Sequence, residues 1–281
     1  RFSHNGTIDS RTSYKLAVDF SSGSQRLGAE LKDAQIIYDI EPSADKVGTQ
    51  LLAGQQNIPL GYELERSSTE REFPERTAYN RIMMAGERGR GVYVRHGINE
   101  NLVVHGGLWN SLTYNDPQQV EANTFRNLSG TRLAYSAGLK YSTSNYELGL
   151  SGFFGYRNGI TSGNRSFYYL DAAWIINPQW TLRGEMMIGK DRVPTFNGSG
   201  ASRRTAMAFN TVRGNHLQVS YMPNYRNTIS ARIEFFDPNT ATNDNQQAWG
   251  LAWSYMFNPG MRLTFAHEVF KEQGLQVNNN Q

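Results

Sequence analysis

Cysteine is absent from the 281 residues, which excludes disulfide cross-links, thiolate metal sites and thiol nucleophiles. A long apolar run is missing as well. The longest strictly apolar stretch is Ala172-Ala173-Trp174-Ile175-Ile176, far short of the ~18 residues a membrane-crossing helix needs. Hydrophobic residues make up only 38% of the chain, and the mean hydropathy is −0.58, low for a soluble domain that must hold one continuous core. Lysine is scarce, six against 22 arginines, and no basic run accompanies the net charge of +3. Nucleic acid is therefore not an expected partner. The five histidines (His4, His96, His105, His216 and His267) show no clustered metal spacing. No set of nucleophile, base and orienting group emerges, so neither catalysis nor a cofactor or metal is expected. Gly184–Asp191 approaches a phosphate-binding loop, but it ends in Asp191 instead of Ser or Thr and lies within an alternating stretch.

What the chain does have is alternation. In Tyr14–Phe20, one parity carries Tyr14, Leu16, Val18 and Phe20, and the other carries Lys15, Ala17 and Asp19. Successive side chains of a strand point to opposite faces, so one face is apolar and the other polar. The pattern recurs in Leu133/Tyr135/Leu139/Tyr141, Tyr146/Leu148/Leu150/Phe154/Tyr156, Tyr168/Leu170/Trp174/Ile176, and Trp180/Leu182/Met186/Ile188. It continues in Ile229/Ile233/Phe235, Trp249/Leu251/Trp253/Tyr255 and Met261/Leu263/Phe265/Val269, with His267 the one titratable member. The opposite parity holds Arg132, Lys140, Glu147, Asp171, Arg183, Glu185, Arg232, Glu234, Arg262 and Glu268. A charge facing lipid costs ~2–4 kcal/mol at mid-bilayer, which accounts for the segregation. Tyr156, Trp180, Trp249 and Tyr255 stand at strand ends, as interfacial anchors do.

Turn formers cluster near Ile98–Asn101, Ser142–Asn145, Asn177–Gln179, Pro223–Arg226 and Phe257–Gly260. Longer polar segments lie between them, near 56–88, 111–127, 157–166, 191–213 and 237–247. Alternating short and long connections, with strands near the ~9–11 residues a span requires, predict an all-β chain: a transmembrane antiparallel β-barrel. About fourteen strands are visible. Arg1–Asn5 reads as the end of a strand and Gln273–Gln281 as a loop without its return, so about sixteen are expected for a barrel truncated at both ends. A barrel of that size leaves an aqueous channel. Residues 1–281 are read as one domain.

The segment Gly54-Gln55-Gln56-Asn57-Ile58-Pro59-Leu60-Gly61-Tyr62-Glu63 resembles a Gly-Gln-x-Lys-x-Pro-x-Gly-x-Glu stretch of the phosphate-selective porin O/P family. The similarity continues through Ser67-Ser68, Glu75-Arg76, Gly86–Val92 and Leu108-Trp109-Asn110, and upstream through Tyr14–Phe20 and Leu31–Tyr38. It is specific over about residues 13–110. The resemblance implies a sixteen-stranded homotrimeric porin in the outer membrane of a Gram-negative-type bacterium, in contact with outer-membrane lipid. It also implies an inward-folded loop, here 56–88, that narrows each pore. Asn57 stands where the family has lysine, so the pore is carried over and the phosphate selectivity is not.

The expected function is passive diffusion of small hydrophilic solutes and ions with a mild preference for anions. The alternative is a structural barrel tethering the outer membrane to the cell wall. For the constriction the candidates are Arg66, Arg71, Arg76 and Arg81 with Glu70, Glu72 and Glu75; for the lumen wall they are Arg95, Arg132, Arg183, Arg232, Lys15 and Lys140. Guanidinium groups keep their charge and present fixed donors to oxyanions. Each could instead pair with a neighbouring carboxylate, Arg183 with Glu185 or Arg232 with Glu234, and hold loop to wall. Phe153, Tyr169 and Phe236, on the lumen parity, are a possible sugar-stacking track.

Overall fold

The structure is a computed structural model. It describes all residues except 1, 21–29, 43–47, 68–69, 85–87, 111–132, 158–162, 198–203, 242–244, 259–260 and 273–281. Among the described residues fourteen strands form one antiparallel sheet in which each strand pairs with its neighbour in sequence. They are β1 Phe2–Thr7, β2 Thr12–Asp19, β3 Glu30–Glu41, β4 Thr49–Asn57, β5 Arg88–Gly97, β6 Leu102–Asn110 and β7 Leu133–Ser142. The series continues with β8 Tyr146–Arg157, β9 Gly163–Asn177, β10 Trp180–Asn197, β11 Arg204–Asn224, β12 Asn227–Asp237, β13 Gln246–Asn258 and β14 Met261–Glu272. Two short helices, α1 Gly61–Glu65 and α2 Ala78–Met83, lie between β4 and β5.

Among the described residues, the connections at one end of the sheet are tight. In five of them a short polar side chain (Asp9, Asn99, Thr143, Asn177 or Asn224) accepts the backbone N–H groups two and three residues ahead, closing the turn locally. The long connections sit at the other end. The polar stretch 191–213 departs from the expected loop. Its flanks extend β10 and β11, which pair as far as Asn197 with Arg204.

The outer face carries the apolar parity: Leu148, Leu170, Met186, Ile233, Trp249 and Phe265 are all exposed. Their polar neighbours point inward. The apolar exterior and wet interior are those of a porin-type wall, and the chain's core lies inside that wall. Ile58, Leu60, Leu64, Tyr79, Met83 and Met84 from the β4–β5 segment pack on Trp109, Phe153, Phe167, Tyr169, Met187 and Phe236 from the strands.

Candidate functional site

Both helices of the β4–β5 segment are too short to stand alone, and neither has a side-chain cap of its own. The wall supplies the caps. At the start of α1, Ser151 Oγ accepts from Gly61 N at 3.1 Å. Glu185 Oε2 accepts from Glu63 N at 3.1 Å and also from Tyr62 N. At the start of α2, Glu234 Oε1 accepts from Ala78 N at 3.0 Å. Carboxylates at a helix N-terminus satisfy orphan donors and oppose the positive end of the dipole.

Glu63 binds the two helices to each other and to β12. Its Oε2 accepts from Thr77 N at 2.9 Å, Thr77 Oγ1 at 2.7 Å and Asn80 Nδ2 at 3.0 Å. Its Oε1 receives Arg232 Nη1 at 2.8 Å. Asn80 Nδ2 also reaches Glu185 Oε1 at 2.7 Å. The Tyr79 hydroxyl donates its one proton to that oxygen at 2.8 Å, so it accepts from His216 Nδ1 at 2.8 Å. Glu63, Glu185 and His216 lie close enough to suggest a metal site. Every carboxylate oxygen there already accepts N–H or O–H donors, and Arg232 occupies one of them. The donor set makes a latch rather than a cation site.

The register explains the arrangement. Asp171, Glu185, His216 and Glu234 lie side by side in one hydrogen-bonded row across β9–β12. The next row towards the tight turns holds Arg183, Gln218 and Arg232, and reaches Glu268 through Gly250 on β13. The acidic row meets helix N-termini; the basic row meets loop carboxylates. Arg183 pairs with Glu72, not with Glu185, which is occupied by loop N–H groups. Arg232 pairs with Glu63 and Glu268, while Glu234 stays 4.0 Å away. Of the two intrastrand pairs expected from sequence, Arg183–Glu185 gives way to Arg183–Glu72, while Arg232 keeps a long contact with Glu234 and adds closer pairs with Glu63 of the β4–β5 segment and Glu268 of the wall.

The remaining constriction candidates separate by environment. Arg66 Nη2 meets Glu147 Oε1 at 3.0 Å, and its guanidinium lies 4.5 Å from the Tyr62 ring centre. Arg71 is buried and donates to the Pro74 carbonyl at 3.1 Å. Arg76 donates to the Glu63 carbonyl at 2.9 Å and the Arg66 carbonyl at 3.2 Å. Glu70 accepts from Ser67 N at 2.9 Å. The Glu75 side chain is exposed, and its carbonyl accepts from Arg232 at 3.3 Å. Arg81 is exposed in the last turn of α2. On the wall, Lys15 meets Asp33 at 2.9 Å, and Lys140 meets Glu147 at 2.6 Å and Glu65 at 3.3 Å. Arg95 Nε donates to Gln50 Oε1 at 2.5 Å. Arg132 lies outside the described residues.

Burial raises the Glu63 carboxyl, but His216 and Arg232 beside it, with the Asn80 and Thr77 donors, more than offset this and hold it below the ordinary carboxylate value. Burial, then the neighbouring Arg71 charge, push the Arg76 guanidinium down to about 9, so it remains charged at neutral pH.

Phe153, Tyr169 and Phe236 are fully buried under the inserted segment, so they form its seat and offer no sugar track. Sequence reading missed Arg165. Wholly buried, it donates to the Met83 carbonyl at 2.8 Å and to Asp191 at 2.9 Å, fixing the end of α2. It also missed the latch residues Ser151, Glu185, His216 and Glu234 as a group. Their shared inward parity was the available signal.

The sequence model of the family described as phosphate-selective porin O and P matches residues 1–190. No curated protein gives a significant match. Among solved structures, the outer membrane channel DcaP of Acinetobacter baumannii superposes with a TM-score of 0.63 at 11% identity, covering 95% of this chain and 77% of that one. An anion-selective porin from Comamonas acidovorans gives 0.67 at 11% identity, covering 96% and 77%. A mutant of Rh. blastica porin gives 0.54 at 13% identity, covering 96% and 86%. At such identities the likeness establishes the porin fold. With the family match spanning well over half of the sequence, and a wall that is apolar outside and polar within, the chain belongs to the phosphate-selective porin O and P family, the channels through which small solutes and ions cross the outer membrane.

Proposed function

We propose that this porin conducts small hydrophilic solutes and ions with a mild preference for anions, and that the inward-folded segment 56–88 is its constriction. The observation carrying the preference is a difference in pairing. Arg66, Arg183, Arg232, Lys15 and Lys140 are each matched by a carboxylate, whereas Arg81 and Arg95 have no carboxylate partner among the described residues. An unmatched guanidinium in a narrow, partly dehydrated passage lowers the barrier for an anion and raises it for a cation. The Comamonas acidovorans neighbour is described as anion-selective, which agrees with this reading. The family resemblance supports a homotrimer in the outer membrane of a Gram-negative bacterium.

Reversal potentials across a potassium chloride gradient test the assignment. The parent channel is expected to favour chloride. An Arg81→Ala/Arg95→Ala double variant is expected to lose about twofold to fivefold of the chloride-to-potassium permeability ratio, most visibly at low salt. A double variant with the parent's ratio would overturn the reading.

A further inference from the structure

Inside the wall, between the inserted segment and the tight-turn end of β10–β14, lies a recess of about 180 Å³. Glu70 and Glu72 bound it from the segment, and Arg183 and Arg262 from the strands. Its floor is built of short hydroxyl side chains. The inward row Thr181, Ser220 and Ser230 crosses β10–β12, and the next row towards the turns holds Thr228, Ser254 and Thr264 on β12–β14. Thr181, Ser220, Thr228 and Ser254 face the recess directly, with Gln179 and Met222 at its turn-side edge.

The hydrogen-bonding capacity of this floor is only partly used. Ser220 Oγ shares a hydrogen bond with Ser230 Oγ at 2.9 Å, and Ser254 Oγ shares one with Thr264 Oγ1 at 2.9 Å. The hydroxyls of Thr181 and Thr228 and the Gln179 side-chain amide have no partner among the described residues. Arg183 Nε is a buried donor that also lacks one there. Glu70 accepts Ser67 N with one carboxylate oxygen and leaves the other open. The charges balance, since two carboxylates face two guanidinium groups and Glu72 already pairs with Arg183. An anion meets the carboxylates and a cation meets the arginines, so neither is favoured. A hydroxyl both donates and accepts and can therefore satisfy each of these groups in turn, while Met222 offers an apolar edge to C–H groups. At about 30 Å³ of liquid volume per water, the recess holds the equivalent of about six waters, close to the bulk of one sugar ring.

We propose that this recess is a binding subsite for a neutral polyhydroxylated solute of monosaccharide size. Adjacent hydroxyls of the solute donate to Glu70 and accept from Arg183 Nε, and Thr181, Thr228 and Gln179 hold the other side of the ring. The inference rests on segment 56–88 forming the constriction, because a solute lodged against Glu70 and Glu72 then stands in the path of the ions and lowers the current while it is bound.

The test is the potassium chloride current through the porin in a planar bilayer, with D-glucose as the probe and glycine betaine, which carries no hydroxyl, at equal osmolality as the control. Glucose is expected to lower the current along a saturating curve, and betaine only in proportion to viscosity. Thr181→Val/Thr228→Val, which keeps the side-chain shape, should raise the half-saturating glucose concentration by about fivefold for each hydroxyl removed. Thr181→Ser/Thr228→Ser, which keeps the hydroxyls, should bind as the parent does. Heat-modifiable migration in gel electrophoresis certifies that each variant is a folded barrel. A current that glucose lowers no more than betaine does, or a half-saturating concentration unmoved by the valine pair, overturns the proposal and leaves the chloride preference, read from the reversal potential, standing. A folded barrel that carries no current would overturn the channel reading and this subsite with it.

Discussion

Arg232 of β12 donates to Glu63 at 2.8 Å across 169 positions of sequence, and both side chains are almost wholly removed from solvent. This pair fastens the inserted segment to the wall. A buried ion pair is weak evidence of net stabilisation, but loss of one member leaves an uncompensated charge that costs about 3–5 kcal/mol. Arg232→Ala is expected to lower the thermal unfolding midpoint in detergent and to increase open-channel current noise. A variant as quiet and as heat-stable as the parent would show that the segment is held by other means.

The Glu63 carboxyl sets a pH dependence of known sign. Its folded value lies below the ordinary 4.5, so its contribution is present above that value and is lost as pH falls through the lowered one. The difference in unfolding midpoint between the parent and Glu63→Gln should be constant from pH 7 to pH 5 and shrink below about 4.5. A difference that grows on acidification would contradict the assignment.

Gly54 adopts φ of +125°, and a Cβ there would stand 2.1 Å from the Ala34 carbonyl oxygen. The backbone conformation alone costs an L-residue about 1–3 kcal/mol, and the oxygen belongs to the neighbouring strand. Gly54→Ala should reduce the fraction of heat-modifiable folded barrel seen by gel electrophoresis. Gly106→Ala, where the nearest atom is 3.7 Å away, should leave that fraction unchanged.

The wall was legible because its signal is local. Leu148, Leu150 and Phe154 alternate with Glu147, Gly149 and Phe153 whatever the neighbouring strand does, and the structure exposes the first set outward. The tight turns were legible for the same reason, since Asn99 or Asn177 closes its own turn within three residues. The site was less so. Arg183 and Glu185 share a parity, and their spacing invites an ion pair. Only the placement of Glu72 beside one, and of the Tyr62 and Glu63 amides beside the other, separates them. Phe153 and Tyr169 misled in the same way: inward parity does not tell a wet surface from a covered one.

By itself the sequence determined a barrel wall with its outer face, its alternating short and long connections, and its family, because a period of two and a turn motif are properties of adjacent residues. The tertiary structure decided which charges meet. Strand register aligned Glu185, His216 and Glu234 in one row and Arg183 and Arg232 in the next. The packing of Ile58, Leu60, Leu64, Tyr79, Met83 and Met84 on the inner face of the wall then chose their partners, and Arg81 and Arg95 have no carboxylate partner among the described residues. Such pairings depend on positions a hundred or more residues apart, a distance that no local pattern spans.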